Sequence, residues 1–465
     1  MTQLKHRSKK YECPPASTTR LGLIVAMVLG SSLLLRAQVT DPGVRGGPAG
    51  AGGFQTTITT EEQLSEPSGT AQFNQVYVVT KGVPGTNGLG PRFSSNSCVS
   101  CHAQPAPGGS SPFTNPLPAL QNLDGATNGP VSFETGPILI PRFPYQVNNL
   151  NLPDGLIHPV WVVTGRSDAK GCNIQQPAFS TAQSENDIVF RQPLPVFGDG
   201  YIEFIQNADI LGNMNANLAL KQSLGIIGIP QITDDGSVSR LGWKSQWRAI
   251  LPAVAAEQNL EMGVTSDFFP TETDQTAGCI LNGLPEDPLN YTYVGVNNTP
   301  WNFLAAVERD ADFIRFLSAP VPGSCPGGVQ SSCTNGQTQF NNIGCVLCHT
   351  TSFTVPAGSI PSMGHTTINI FSDLLLHHMG PCDADNIVQG AAQGDMFRTP
   401  PLWNVGQRIW FMHDGRTNNI ISAIEDHFCT GNSQYPSSEA NAVVNAYNAL
   451  SQQNQQDLIN FLRSL

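Results

Sequence analysis

The chain has 465 residues, of which 35 are Asp or Glu and 23 are Lys or Arg, and only 12% are charged. That length suits two domains or a little more, and the acidic balance excludes proteins that hold nucleic acid or a membrane surface by positive charge. The 45 Gly and 36 Pro punctuate a chain that is 40% hydrophobic, which describes long structured loops rather than disorder.

Residues 1–37 begin with a basic stretch ending at Arg20 and continue into the apolar run Leu21 to Leu35. The run is short for a membrane span and has the order of a secretory signal, with cleavage expected near Ala37; an uncleaved anchor is the alternative. Cleavage takes away six Lys or Arg and one Glu, which leaves 17 basic against 34 acidic side chains, a net of −17. It also removes Cys13, which precedes the apolar run and is no lipoprotein anchor. A periplasmic or secreted protein with no stable membrane insertion and no nucleic-acid partner is expected, and its acidic surface would steer toward a basic redox protein.

The Gly-rich stretch 38–60 reads as loosely held. Cys98, Cys101 and His102 then form a C-x-x-C-H cluster in "SCVSCHAQ". Short strands are expected in "HPVWVVTGR", "NDIVFRQ" and "GYIEFIQ", which places an irregular β-containing insertion near 155–240. "WNFLAAVERDADFIRFLS" puts Leu304, Val307, Ala311 and Ile314 on one helical face, and the Pro, Gly and Ser-rich stretch 319–336 reads as a domain boundary. "NGQTQFNNIGCVLCHT" reads as a helix leading into a second cluster, Cys345, Cys348 and His349. A helix from about 418 puts Ile420, Ile424 and His427 on one face, and "EANAVVNAYNAL" and "QQDLINFLRSL" close the chain as amphipathic helices.

With 11 Cys and 9 His, random order gives on the order of 0.005 C-x-x-C-H clusters, and here there are two. Redox pairs, zinc sites and c-type haem attachment all use this cysteine spacing, but only haem attachment explains the His both times. Cys98 and Cys101 would then carry one haem with His102 as proximal ligand, and Cys345 and Cys348 a second with His349. Outside these motifs and the leader, Cys172, Cys279, Cys325, Cys333, Cys382 and Cys429 allow up to three disulfides. Cys325 with Cys333 is the easiest to envisage, but fifteen pairings exist and none is assigned.

The second half resembles the C-terminal domain of bacterial di-haem cytochrome c peroxidases and the related enzyme that matures methylamine dehydrogenase. More closely, the chain resembles the di-haem oxidoreductase family, also labelled thiol oxidoreductase-like. The resemblance rests on "GLGPRFSSNSCVSCHAQPAPGGSSP", "SRLGWKSQ", "NLEMGVT", "FNNIGCVLCHT", "FSDLLLHHMGP", "FRTPPLWNVGQRIWFMHDGRTNNIISAIEDH" and "LINFLRSL", from about residue 85 onward. It implies a mainly α fold of two cytochrome-c-like haem domains with long loops, the first within 38–318 and the second within 337–465, the small β-containing insertion lying in the first. It also implies two covalently bound haem c groups.

The same resemblance makes Trp243 an electron relay and Glu261 the acid/base group acting on peroxide, although no Asp-Gly-Arg follows Trp243 and Leu260 replaces a proline. Taken alone, Glu261 could be salt-bridged and Trp243 a plain core aromatic. His427 follows His413 by fourteen residues, the spacing of the peroxidases' axial Met, which makes it the distal ligand of the second haem; an isolated His on an apolar face is otherwise a core residue. His158 would close the first haem at rest, and Met379 and Met412 are alternative ligands. At most one of His377 and His378 faces a haem, and His413 touches a haem edge or is held structurally. Calcium is not carried over, because "QRIWFMH" departs from the peroxidases' ligand segment. The reading is a di-haem oxidoreductase reducing hydrogen peroxide or another small oxidant at the first haem, with a small redox protein as electron donor. A non-catalytic electron carrier and an oxidase or oxygenase of an organic or thiol substrate are the alternatives.

Overall fold

Frequent Gly and Pro keep every element short, and among the described residues the longest helices have 13 residues and the longest strands four. The computed structural model describes residues 38–60, 62, 66–77, 88–117, 126–127, 136–142, 161–163, 172–174, 179–184, 186–280, 283–289, 291–294 and 300–465. The expected signal segment and His158 lie outside them. No helix among the described residues is long and apolar enough to cross a membrane.

In chain order, α1 is Glu66–Phe73 and α2 is Cys98–Cys101. Strands β1 (Ile140–Arg142) and β2 (Val189–Arg191) pair antiparallel with Ile140 opposite Arg191. The strand Trp161–Val163 joins Arg92–Phe93 and Ala126–Thr127 in a three-stranded sheet. These strands meet the expectation for two of the three β segments.

The third differs: "GYIEF" forms helix α3, Asp199–Phe204. Its alternating apolar residues fit a strand locally, but a longer-range contact decides. A side chain at Gly200 would stand 2.0 Å from the Arg315 carbonyl, so only the bare glycine lets α3 lie against α5, Ala306–Phe316. Helix α4, Ile250–Glu257, lies between them in sequence and packs on both.

Helix α5 starts later than its periodicity suggests. The Asp287 carboxylate accepts the amides of Ala306 and Val307, both at 2.8 Å, and caps the first turn. Leu304 therefore falls outside the helix and is exposed, while Val307, Ala311 and Ile314 are buried as expected.

The second half opens with α6, Gln330–Asn342, so the expected boundary 319–336 overlaps a helix. The Cys325–Cys333 disulfide ties the preceding turn to it, and Cys172–Cys279 and Cys382–Cys429 are the other two bridges. Strands β3 (Leu376–His378) and β4 (Met396–Arg398) pair antiparallel, Leu376 opposite Arg398. Helices α7 (Ile420–Glu425), α8 (Asn441–Asn448) and α9 (Gln452–Ser464) follow, with α9 packed along α6.

The stretch expected to be loose is anchored. Asp41 accepts from Arg463 Nε at 2.7 Å and from Nη2 at 2.6 Å, and the Arg463 side chain is fully buried. The Arg45 amide also bonds the Gly406 carbonyl at 2.7 Å. Composition signalled flexibility, but a bidentate ion pair overrides it. Residues 39–465 form one compact unit.

Two reciprocal links position the functional region. The Arg398 amide at the end of β4 donates to the Trp243 carbonyl, and the Gln192 amide just after β2 donates to the His413 carbonyl, both at 2.8 Å. Each half's hairpin thus fixes the loop ahead of a helix in the other half.

Candidate functional site

The two cysteine motifs line separate cavities. Cys98, Cys101 and His102 line one with an empty volume of about 1360 Å³ including its mouth. Cys345, Cys348 and His349 line another of about 1390 Å³. The four motif cysteines are free thiols, whereas the remaining described cysteines are all bridged.

That arrangement argues against two of the chemistries that the sequence leaves open. One shared four-cysteine zinc site would need both motifs in one place. A redox pair needs a depressed thiol pKa, yet burial pushes Cys101 and Cys345 up to about 12 and Cys98 well above its usual value.

Both motif histidines are oriented alike. His102 Nδ1 bonds the Gly109 carbonyl at 3.0 Å, and His349 Nδ1 bonds the Phe371 carbonyl at 2.9 Å. A backbone carbonyl fixes the tautomer with hydrogen on Nδ1 and leaves the Nε2 lone pair available to a metal. Burial pushes His349 down to about 4, with His427 adding to the push, so both imidazoles are neutral near pH 7.

His427 shares the pattern. It follows α7, its Nδ1 bonds the Ala423 carbonyl at 2.6 Å, and it lines the second cavity with Ile420, Ile424 and His349. His377 is excluded as a competing ligand, because its Nδ1 bonds Glu439 at 2.7 Å and its Nε2 bonds Asp373 at 2.9 Å. His378 bonds Asp395 at 2.9 Å and does not line either cavity. Met379 and Met412 line the second cavity.

Trp243 lines both cavities. Its indole Nε1 donates to the Gln192 carbonyl at 2.9 Å, which fixes the ring. The His413 ring stands edge-on to it at 6.4 Å between centroids and stacks on Phe397 at 4.4 Å. His413 is thus placed in an aromatic row beside Trp243. Lys244, fully buried next to Trp243, pairs with Asp385 at 2.9 Å, and Asp385 also binds Arg191 of the first half.

Glu261 lies in a π-helical turn, Gln258–Met262, that continues α4. Such wide turns are frequent at functional sites because they redirect a side chain out of helical register. One Glu261 oxygen is engaged by Ser94, while Oε2 is buried without a hydrogen-bond partner. Burial and the nearby Glu257 push its pKa up to about 8, against the pull of Arg142. A carboxyl in that state holds a proton near neutral pH and can release it.

Sequence reasoning missed several lining residues. Arg398 lines both cavities with Nη1 unpartnered, and Arg408 lines the second with Nε and Nη2 unpartnered. Burial pushes both guanidinium groups down to about 10. Each lies in an apolar stretch, "FRTPPLW" or "QRIWF", and an arginine among apolar residues in so weakly charged a chain was the available signal. Glu257, also in the first cavity, sits in the run "LPAVAAEQ" and carried the same signal.

The family model described as "Di-haem oxidoreductase, putative peroxidase" matches residues 144–465. The chain belongs to the di-haem oxidoreductase family. As a di-haem oxidoreductase it is an enzyme of a two-haem family. No curated protein matches it significantly.

Solved structures similar to this di-haem oxidoreductase are distant. The hydrazine synthase of Kuenenia stuttgartiensis is 17% identical over 37% of this chain, with a TM-score of 0.23, and the match spans 58% of that chain. A MauG-like protein associated with microbial copper homeostasis is 13% identical over 57% of this chain and 88% of its own, TM-score 0.27. The diheme peroxidase BthA from Burkholderia thailandensis is 14% identical over 71% of this chain and 95% of its own, TM-score 0.26.

The residues present fit a haem in each cavity. Each cavity offers two free thiols, one imidazole with an available Nε2, and walls whose buried guanidinium donors lack partners. Haem carries two propionates, and anions of that kind satisfy such donors.

Proposed function

We propose that this chain is a c-type di-haem enzyme that reduces hydrogen peroxide or another small oxidant in the first cavity, using the second haem as an electron relay. The carrying observation is an asymmetry: the second cavity holds two imidazoles with free Nε2, His349 and His427, while the first holds His102 and carboxyl groups. An imidazole on both sides suits an electron-transfer centre, and a free side suits a reacting one. The same asymmetry disfavours a pure electron carrier, which would cap both.

In this reading Cys98, Cys101 and His102 would hold the first haem, and Cys345, Cys348, His349 and His427 would hold the second. Bound haem supplies iron that accepts a small oxidant and exchanges single electrons. Arg398 and Arg408 neutralise propionates. Cleaving a peroxide O–O bond requires a proton to leave one oxygen and reach the other, and Glu261 Oε2 is the group that takes and returns it. Trp243, shared by both cavity walls, is the path between the haems, and His413 and Phe397 extend that aromatic row. Two electrons and two protons convert the peroxide to two waters. The electrons come from a small redox protein drawn to the acidic surface of an exported chain.

A pyridine haemochrome assay on the exported protein should give two thioether-linked haems per chain. Fewer than two would remove the reading at its base. In electron paramagnetic resonance, the oxidised or half-reduced protein should show one haem open to cyanide and one low-spin haem that is not.

A further inference from the structure

Two loops of unlike sequence share one backbone. Leu241–Trp247 and Phe411–Thr417 are each closed by an antiparallel bridge between their end residues. The second residue has positive φ in both, 84° at Gly242 and 64° at Met412, and so does the fifth, 51° at Ser245 and 65° at Gly415. A helix begins three residues past each loop, at Ile250 in α4 and at Ile420 in α7. Every equivalence is offset by 170 positions.

The same offset relates the cavity walls. Gly242, Ile250, Ala253, Val254 and Glu257 line the first cavity, and Met412, Ile420, Ala423, Ile424 and His427 line the second. The three matched pairs that lie on both helices, Ile250 with Ile420, Ala253 with Ala423 and Val254 with Ile424, mean that α4 presents its cavity the face that α7 presents to the other. At the last of the five, one cavity has a carboxylate where the other has an imidazole.

We infer that Glu257 occupies in the first cavity the place that His427 occupies in the second, on the side of the first haem away from His102. This rests on the proposed function, in which His427 is the distal ligand of the second haem. Among the described residues no hydrogen bond ties the Glu257 carboxylate, and it stays accessible although its neighbours Ala255, Ala256 and Gln258 are buried, because its free surface faces the cavity. Arg142 on β1 and Arg191 on β2 are the cations that balance its charge. A carboxylate at this position is a weak, displaceable donor to haem iron, whereas imidazole is a strong one. The residue therefore keeps the first haem accessible to small oxidants, and the exchange of one side chain separates a reacting haem from a relaying one.

The test is a reciprocal swap in the haem-loaded protein, with two haems per chain confirmed for each variant. Glu257→His should convert the open haem to a low-spin centre and weaken cyanide binding by at least about tenfold, since the new imidazole competes for the position. His427→Glu should make the second haem high-spin and able to bind cyanide. If Glu257→His leaves the open haem high-spin with unchanged cyanide affinity, Glu257 does not stand at that position. Should that variant fail to fold, His427→Glu decides, and a second haem that stays low-spin and closed overturns the equivalence. An unsubstituted protein with both haems low-spin and closed to cyanide would overturn the proposed function together with this inference, whereas an open first haem indifferent to Glu257→His would overturn this inference alone.

Discussion

Glu261→Gln keeps the shape of the side chain and removes its titratable proton. Burial and Glu257 raise the Glu261 pKa to about 8, so about one-hundredth of the carboxyl is ionised at pH 6, about one-tenth at pH 7 and half at pH 8. Peroxide cleavage begins with a proton leaving one oxygen, so the ionised form is the one that acts. The rate at limiting peroxide should therefore rise about fifty-fold from pH 6 to pH 8 and level off above. Glutamine should lower the pH 8 rate by about 10² to 10⁴ and flatten the profile, while peroxide saturation is unchanged. Stopped-flow measurement of peroxide consumption against pH, on both proteins with equal haem content, checks this. An unchanged rate, or a Gln variant that keeps the rising limb, would make Glu261 structural. The same shift has a stability sign: between about pH 4.5 and 8 the folded chain binds a proton that the unfolded chain has released, so this group's contribution to stability falls as pH rises through that window.

His427→Met should raise the midpoint potential of the second haem and introduce a Met-to-iron charge-transfer band, because a thioether favours ferrous iron more than imidazole does; the first haem should not move. If neither midpoint nor low-spin signal shifts, His427 is a core histidine and the ligand is another donor of that cavity, with Met379 and Met412 the first to substitute. Asp41→Ala should cost about 3–5 kcal/mol in denaturant unfolding of the haem-loaded protein, because it leaves the fully buried Arg463 guanidinium without its counterion. A loss below about 1 kcal/mol would mean that residues 39–48 are not docked on α9 in solution.

The motif cysteines and histidines stood out in the sequence by their fixed spacing, and His427 by a helical face and a count from His413; the structure brings each of them to a cavity wall. Helices α8 and α9 were legible from apolar periodicity, and α6 from its place ahead of the second cysteine motif. What failed depended on distant partners. Nothing in "GYIEF" says that Arg315 will lie against Gly200, and nothing near Leu304 says that Asp287 will cap the helix two residues later. The strap at Asp41 reads as a flexible tail until Arg463, 422 positions away, is seen to hold it. Arg398, Arg408 and Glu257 were visible as charges in apolar stretches, but what each faces emerges only when the two hairpins and the two loops are brought together.

The two halves differ in side-chain chemistry rather than in architecture. Their loops have the same bridge, the same two positive-φ positions and the same helix start, and each is held by an amide from the other half's hairpin. Neither loop can move without disturbing the opposite half, so the separation of the cavities is set by short hydrogen bonds on both sides of one wall. Within that frame three of the matched pairs with unlike side chains are Gly242 and Met412, Trp243 and His413, and Glu257 and His427. The first pair puts a thioether on the wall of one cavity, where the other has the Gln246 carboxamide lying against the bare Gly242. The second puts an indole where it borders both cavities and an imidazole behind it in the aromatic row. The third sets a weak donor against a strong one. In the proposed function the exchanges of donor and of shared aromatic ring make one haem receive the oxidant and the other supply electrons, because donor strength and the shared aromatic wall are quantities on which those two roles differ.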